Sequence, residues 1–134
     1  MNISEKITNN IKISVNPVFI PAEQTPMDGR NYFAYTITIT NLGEEWAKLL
    51  NRHWIIIDSE GNTEEVIGEG VVGYFPELEK DQSFTYTSYC PITTDWGTME
   101  GFYQFIRRNG SLFDVEVPRF YLISPYAKMI VDDK

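Results

Sequence analysis

Apolar and polar residues alternate along most of this 134-residue chain. The clearest stretch is YFAYTITIT, residues 32–40, where every second residue from Phe33 to Ile39 is large and apolar. A period of two is that of a β-strand with one buried face. Similar runs predict six more strands, at residues 11–15, 53–57, 63–68, 83–89, 101–106 and 112–117.

Turn residues separate these runs. DSEGN at 58–62 and RNGS at 108–111 predict antiparallel hairpins, and Asn109-Gly110 is the pair that favours a two-residue type I′ turn. EEWAKLL at 44–50 has an apolar stripe but runs into a strand without a stop signal, so no helix is predicted there. The pattern therefore predicts an all-β protein, an antiparallel β-sandwich of the immunoglobulin or fibronectin type III kind with about seven strands.

Residues 1–134 have the length of a single domain, which we expect to have its core at about 8–125. Residues 16–31 are interpreted as a proline-containing loop and residues 126–134 as a loose tail. Since 43% of the residues are hydrophobic, the strands supply a core without a structural metal ion.

The chain carries a formal net charge of −8, which repels nucleic-acid phosphates, so nucleic acid is not an expected partner. No apolar run approaches the ~20 residues of a membrane helix, and no membrane association is predicted. Cys90 is the single cysteine. A single cysteine excludes an internal disulfide and a cysteine-rich zinc site, and it favours a reducing, cytoplasmic location.

GEGVVG, residues 68–73, places Gly68, Gly70 and Gly73 on the spacing of the dinucleotide-binding fingerprint. That motif binds pyrophosphate only where it follows a parallel strand and opens a helix. Here it leads into YFPELEKDQSF, which has the proline and charges of a loop. The alternative, phosphate bound by the glycine amides with Arg52 supplying charge (or Arg107 or Arg108), stays open.

The favoured interpretation is that the glycines serve the backbone. It predicts that at least one of the three has a positive φ or another segment against its α-carbon. The segment is then expected to end a strand, cross a sandwich edge through Val71 and Val72, and turn at residues 74–76 without forming a helix.

Other candidate chemistry is sparse. His53 is the single histidine and lies within a strand run, and Cys90 has no recognisable base beside it in sequence, so neither is predicted to be catalytic. Acidic pairs at 44–45, 64–65 and 132–133, and the ELEKD tract, lack calcium-loop spacing and are interpreted as solvated surface.

HWIII, residues 53–57, is apolar on both faces. A strand with one solvated face is not, so we expect packed loops or a homodimer contact over the second face.

Five stretches, in order along the chain, resemble the ApaG family. The most specific are the RHWII segment, the GEGVVG segment and a T-x-x-G-x-M-x-G run from Thr94 to Gly101. The chain departs from the family pattern mainly at Tyr89-Cys90. The stretches are FAYTITITN (33–41), LLNRHWIIIDSEG (49–61), EVIGEGVVGYFPEL (65–78), FTYTSYCPITTDWGTMEGFY (84–103) and FDVEVPRFYLISP (113–125).

This resemblance implies a fibronectin type III-like sandwich and a bacterial cytoplasmic protein linked to cobalt and magnesium efflux or resistance. It points to protein binding, and no enzymatic activity follows from it. We expect no enzymatic activity and no cofactor. We therefore expect a binding or adaptor module with a protein partner. The alternatives are a phosphate or nucleotide binder and a protein that handles divalent metals directly.

Overall fold

The computed structural model describes residues 3–127. These residues form nine β-strands and one short 3-10 turn, Ala22–Gln24. The strands are β1 (Ser4–Thr8), β2 (Ile11–Ile20), β3 (Asn31–Asn41), β4 (Ala47–Asp58), β5 (Thr63–Glu69), β6 (Glu77–Leu78), β7 (Ser83–Ile92), β8 (Trp96–Arg107) and β9 (Leu112–Ile123).

The strands form two antiparallel sheets packed as a sandwich. One has the order β1-β2-β3-β7, and the other has the order β5-β4-β8-β9 with β6 also paired to β4. The predicted β-sandwich is confirmed, and all seven predicted strands are present. Residues 44–50 contain no helix, since Ala47 begins β4. Strands β1 and β6 were missed because β1 is an exposed edge strand and β6 has two residues.

Strand β3 shows why the alternation produces this fold. The side chains of Phe33, Tyr35, Ile37 and Ile39 are buried in the core between the sheets. On the other face, the hydroxyl groups of the β3 threonines pair with those of β7, as between Thr36 and Thr87 at 2.8 Å. Each face therefore stabilises the sheet in its own way, by burial inside and by cross-strand hydrogen bonds outside.

The β8–β9 hairpin does not have the predicted type of turn. Both predicted hairpins, β4–β5 and β8–β9, are antiparallel. However, only Gly110 of the Asn109-Gly110 pair has a positive φ, so the type I′ prediction there is wrong. The Gly110 N–H donates to the Arg107 carbonyl, and the Arg107 N–H donates to the Ser111 carbonyl. The loop therefore has three residues, 108–110, instead of two, with glycine in the left-handed position. A two-residue turn with two positive φ angles occurs instead at Asn9-Asn10.

The predicted loop at 16–31 is shorter than expected, because β2 continues to Ile20. Proline is tolerated at position 17 because the pairing with β1 ends at Val15, which leaves Pro17 paired on one side only, with Tyr35 of β3.

One lateral side of the sandwich is closed and the other is open. On the closed side β9 packs against β1 and β2, and the Lys6 ammonium lies 3.1 Å from the Glu116 carboxylate. On the open side the edge strands β5 and β7 flank a cleft that reaches the core.

The second face of HWIII is half-buried at Ile55 and Ile57, while the neighbouring Ile67 is 71% exposed. A homodimer contact there stays a prediction, which light scattering tests.

At the other end of the chain, Ser124 is buried and its N–H donates to the Asp95 carbonyl. Of the predicted tail at 126–134, Tyr126 is exposed and the Ala127 N–H donates to the Ser124 carbonyl, and residues from 128 lie outside the described part of the chain. Among residues 3–127, no helix has the length and apolarity needed to cross a membrane.

Candidate functional site

The GEGVVG segment interrupts an edge of the second sheet. Strands β5 and β6 both pair with β4, and residues 70–76 connect them. Val71 and Tyr74 exchange two backbone hydrogen bonds, of 2.9 and 2.8 Å, around a two-residue turn at Val72-Gly73. The predicted turn at residues 74–76 is therefore wrong by two residues, while the expectation that no helix follows is confirmed.

Backbone hydrogen bonds to β4 anchor this connection. Leu50 is an extra residue opposite β8, and its carbonyl accepts the Gly70 N–H at 2.8 Å. The neighbouring Leu49 N–H donates to the Pro76 carbonyl at 2.9 Å. Both ends of the connection are thus fixed to β4, because the two bonds extend the β4–β5 and β4–β6 ladders by one residue each.

The glycines serve the backbone as expected. Gly70 has a φ of 60°, and a Cβ there would collide with the Tyr74 carbonyl oxygen. Gly73 has a φ of 85°, but a Cβ there would meet open space. The prediction that at least one glycine has a positive φ or a close approach is confirmed. Gly70 combines both constraints.

Arg52 lies directly against this backbone. Its Nη1 donates to the carbonyl oxygens of Glu69, at 2.8 Å, and Gly70, at 3.0 Å. A Cβ on Gly68 would lie 2.7 Å from the Arg52 guanidinium, so glycine leaves the space that the arginine fills. The structure therefore brings Arg52, Gly68 and Gly70 together, with Gly73 in the adjacent turn.

These contacts bear on phosphate binding. The N–H groups of Gly70 and Val71 already donate to carbonyl oxygens, and an anion would need donors of that kind. Arg107 and Arg108 lie at the β8–β9 end, where their guanidinium groups stack on Phe113 and Trp46. Phosphate binding by the glycines stays a prediction.

His53 lies on the outer face of β4, and Cys90 is buried. The His53 ring lies 4.9 Å from that of Phe102, and its Nε2 is 3.4 Å from a Glu65 carboxylate oxygen. Cys90 is buried, and burial raises the pKa of its thiol to about 12. It is therefore a protonated thiol at neutral pH.

The carboxylates do not gather into a metal site within residues 3–127, where no three candidate ligands cluster. Glu44 instead pairs with Lys80 at 2.6 Å, and Glu79 pairs with Arg108 at 2.8 Å. Asp132 and Asp133 lie outside the described residues.

Three apolar side chains are exposed on the connection between β5 and β6. Val72 is 47% exposed, Tyr74 62% and Phe75 44%, and we refer to them as the tip cluster. The Tyr74 ring lies 5.7 Å from that of Phe84, and Lys48 Nζ lies 6.0 Å above the Phe75 ring. The alternation pattern did not predict this cluster, although the consecutive aromatic residues directly after the glycine motif were its visible signal.

The open side of the sandwich contains a concave feature, the lateral cleft, with a volume of about 270 Å³. It reaches from the motif toward the far end of β5. Residues of four strands line it, among them Tyr35, Arg52, Trp54, Glu64, Ser88 and Cys90.

Comparison with known proteins places the chain. Residues 21–107 match the ApaG domain model. Protein ApaG of Bdellovibrio bacteriovorus is 48% identical over 88% of this chain and 93% of its own length. Protein ApaG of Dechloromonas aromatica is also 48% identical, over 90% of this chain and 96% of its own.

Solved structures agree. A Bordetella pertussis protein is 42% identical with a TM-score of 0.81, covering 87% of this chain and 95% of its own. An X-ray structure of a structural genomics target is 36% identical with a TM-score of 0.83, covering 94% and 95%. The folded unit extends beyond the domain match, since β1 and β2 precede residue 21 and β9 follows residue 107. Sequence and fold together show that this chain belongs to the ApaG family.

Proposed function

We propose that this protein is a non-enzymatic, cytoplasmic binding module that acts through a protein partner in cobalt and magnesium efflux or resistance. The observation that carries the proposal is the tip cluster. Val72, Tyr74 and Phe75 expose apolar surface on one short connection, and aromatic side chains in such positions dominate protein interfaces.

The backbone of Val72 adds support. Its φ of 44° lies in the left-handed region, which a β-branched residue rarely adopts. Asparagine or glycine would fit this turn at lower conformational cost. A strained, exposed valine is understandable if its side chain is used in binding.

The rim of the tip cluster indicates the chemistry of the partner. Glu69 and Glu77 flank the connection and are exposed, and the whole chain carries a net charge of −8. A complementary surface is apolar at its centre and basic around it.

The test is differential capture from a bacterial lysate. The baits are the wild type, a Tyr74→Ser/Phe75→Ser variant and a matched Tyr121→Ser control. Tyr121 is 50% exposed but lies on β9, away from the connection. We expect a specific protein to be retained by the wild type and the control and to be lost, by about tenfold or more, with the tip variant. Equal retention by all three baits contradicts the proposal.

The link to metal efflux has a separate test. In a bacterial strain that lacks its ApaG protein and is sensitive to cobalt, the wild type and Tyr121→Ser should restore growth on cobalt while the tip variant should not. Melting temperatures of the purified variants show that each is folded. Full rescue by the tip variant contradicts a role through this surface. Calorimetric titration with Mg²⁺ and Co²⁺ separates direct metal handling from action through a partner.

A further inference from the structure

The lateral cleft has an aromatic floor and an open mouth. Tyr35 and Trp54 form the floor, with ring centroids 5.5 Å apart in an edge-to-face arrangement, and both are almost fully buried. The mouth lies between the edge strands β5 and β7, on the side where β9 does not close the sandwich. An apolar body of modest size therefore has a preformed surface against which to pack.

Arg52 brings a positive charge to one end of this cleft. Within residues 3–127 it forms no ion pair, whereas the other four arginines each pair with a carboxylate. Its two recorded hydrogen bonds use Nη1 alone and go to neutral carbonyl groups. A half-buried guanidinium without a counter-ion is a strong site for an anion, because carboxylates bind arginine through charge-assisted hydrogen bonds.

Hydroxyl groups stand beside this charge. Tyr35 and Ser88 both line the cleft. Burial raises the pKa of Tyr35, while its interaction with Ser88 and the charge of Arg52 lower it in part. The phenol therefore stays protonated, so it is a donor and adds no negative charge to the site.

The geometry points to a binding site for a small organic carboxylate, with its apolar body on Tyr35 and Trp54 and its carboxylate on Arg52. Glu64 lines the same cleft and the protein is strongly acidic, so a singly charged carboxylate suits the site better than a doubly charged phosphate. Such a carboxylate occurs in a free acid and at the C-terminus of a peptide. This site is separate from the tip cluster, and neither depends on the other.

The first test compares a charged probe with a neutral one. Binding of 3-phenylpropionate and of 3-phenylpropanamide to the wild type is followed through the indole N–H signal of Trp54 in ¹H–¹⁵N NMR. We expect the carboxylate to shift this signal with saturation, and the amide to bind about tenfold more weakly or not at all. No saturable shift with the carboxylate, or equal binding of the two probes, overturns the proposal.

Two neighbouring glutamates provide matched variants that should not disturb folding. Glu64 lines the cleft, whereas Glu65 faces His53 on the outer side of the sheet, and both are exposed. Glu64→Gln should strengthen 3-phenylpropionate binding about threefold, because it removes a repelling charge, and Glu65→Gln should leave it unchanged. The opposite order, or no effect of Glu64→Gln, contradicts the assigned position of the carboxylate.

Arg52→Gln should weaken 3-phenylpropionate binding about tenfold. Arg52 also supports the backbone at Glu69 and Gly70, so this variant tests the proposal only if its melting temperature equals that of the wild type. If the variant is destabilised, the comparison of Glu64→Gln with Glu65→Gln decides. A capped Gly-Gly-Phe peptide with a free C-terminus then identifies the source. Tighter binding than 3-phenylpropionate indicates a peptide ligand, weaker binding a free acid, and both outcomes support the carboxylate site.

Discussion

The hydroxyl groups of Tyr86 and Tyr103 lie 2.6 Å apart in the buried space between the two sheets. Tyr86 belongs to β7 and Tyr103 to β8, so this hydrogen bond joins the sheets directly. Burial raises the pKa of both phenols well above the usual range, and each therefore remains protonated. Such a pair is stable because each polar atom satisfies the other away from water.

Breaking this pair should cost more than removing it. Tyr86→Phe leaves the Tyr103 hydroxyl buried without its partner, so we expect the free energy of unfolding to fall by about 1–3 kcal/mol. The double variant, with phenylalanine at both positions, should lose less than the sum of the two single losses. Urea unfolding of the four proteins measures the coupling. Additive losses would show that the hydrogen bond does not couple the two residues.

Gly70 and Gly73 form a matched pair for the structural role of the glycine motif. Both have a positive φ, but only Gly70 faces a carbonyl oxygen at close range. Alanine at Gly73 should cost about 1–2 kcal/mol for the left-handed backbone alone. Alanine at Gly70 should cost clearly more, and thermal unfolding measures both.

The same proteins test phosphate binding. We expect no binding of ATP, NAD or pyrophosphate to the wild type by calorimetric titration. Micromolar binding that is lost in a fully stable Gly70→Ala protein would establish the phosphate-binding alternative instead.

Val72 should be a site where stability and binding oppose each other. Val72→Asn relieves the strain of a β-branched residue at a φ of 44°, so the protein should gain about 1 kcal/mol in its free energy of unfolding. The same change removes apolar surface from the tip cluster and should weaken partner capture. A variant that is both more stable and equally active in capture would remove Val72 from the proposed interface.

Cys90 should make the protein sensitive to alkali. Burial, with a smaller contribution from Glu64, raises the pKa of the thiol from 9.0 to about 12. An unfolded chain then releases the thiol proton while the folded chain retains it, so the folded state loses stability as the pH rises above about 9. Below that pH the contribution is fully present. Cys90→Ala should make the pH dependence of the melting temperature shallower between pH 9 and 10.5. An unchanged slope would assign the effect to the buried tyrosines.

A chelator should not affect folding. The described core consists of apolar side chains from both sheets, and no three candidate ligands cluster in residues 3–127. EDTA should therefore leave the melting temperature unchanged. A decrease that added Mg²⁺ or Co²⁺ reverses would reveal a structural ion and contradict the expected metal-free fold.

Most strands were predictable because alternation is a local property. The covalent geometry of an extended chain places successive side chains on opposite faces. The buried face of the run around Tyr35 can therefore be identified from that run alone, before the neighbouring strands are known. Turn geometry was less accessible. Asn109-Gly110 has the residues of a type I′ turn, yet Val72-Gly73 adopts its φ angles, within a connection that hydrogen bonds to β4 fix on both sides.

The sequence by itself determined the class of fold, the strand runs and the family, and it predicted a backbone constraint in the glycine motif. Only the tertiary structure decided that Arg52 fills the space at Gly68 and that it shares a cleft with Tyr35 and Trp54. The physical reason is that these contacts depend on how the strands pair and pack: Arg52 faces Gly68 across the β4–β5 ladder, and Tyr35 comes from the opposite sheet. Their geometry depends on pairing register, on the bulge in β4 and on which lateral side of the sandwich β9 closes, and a periodic pattern of residues encodes none of the three.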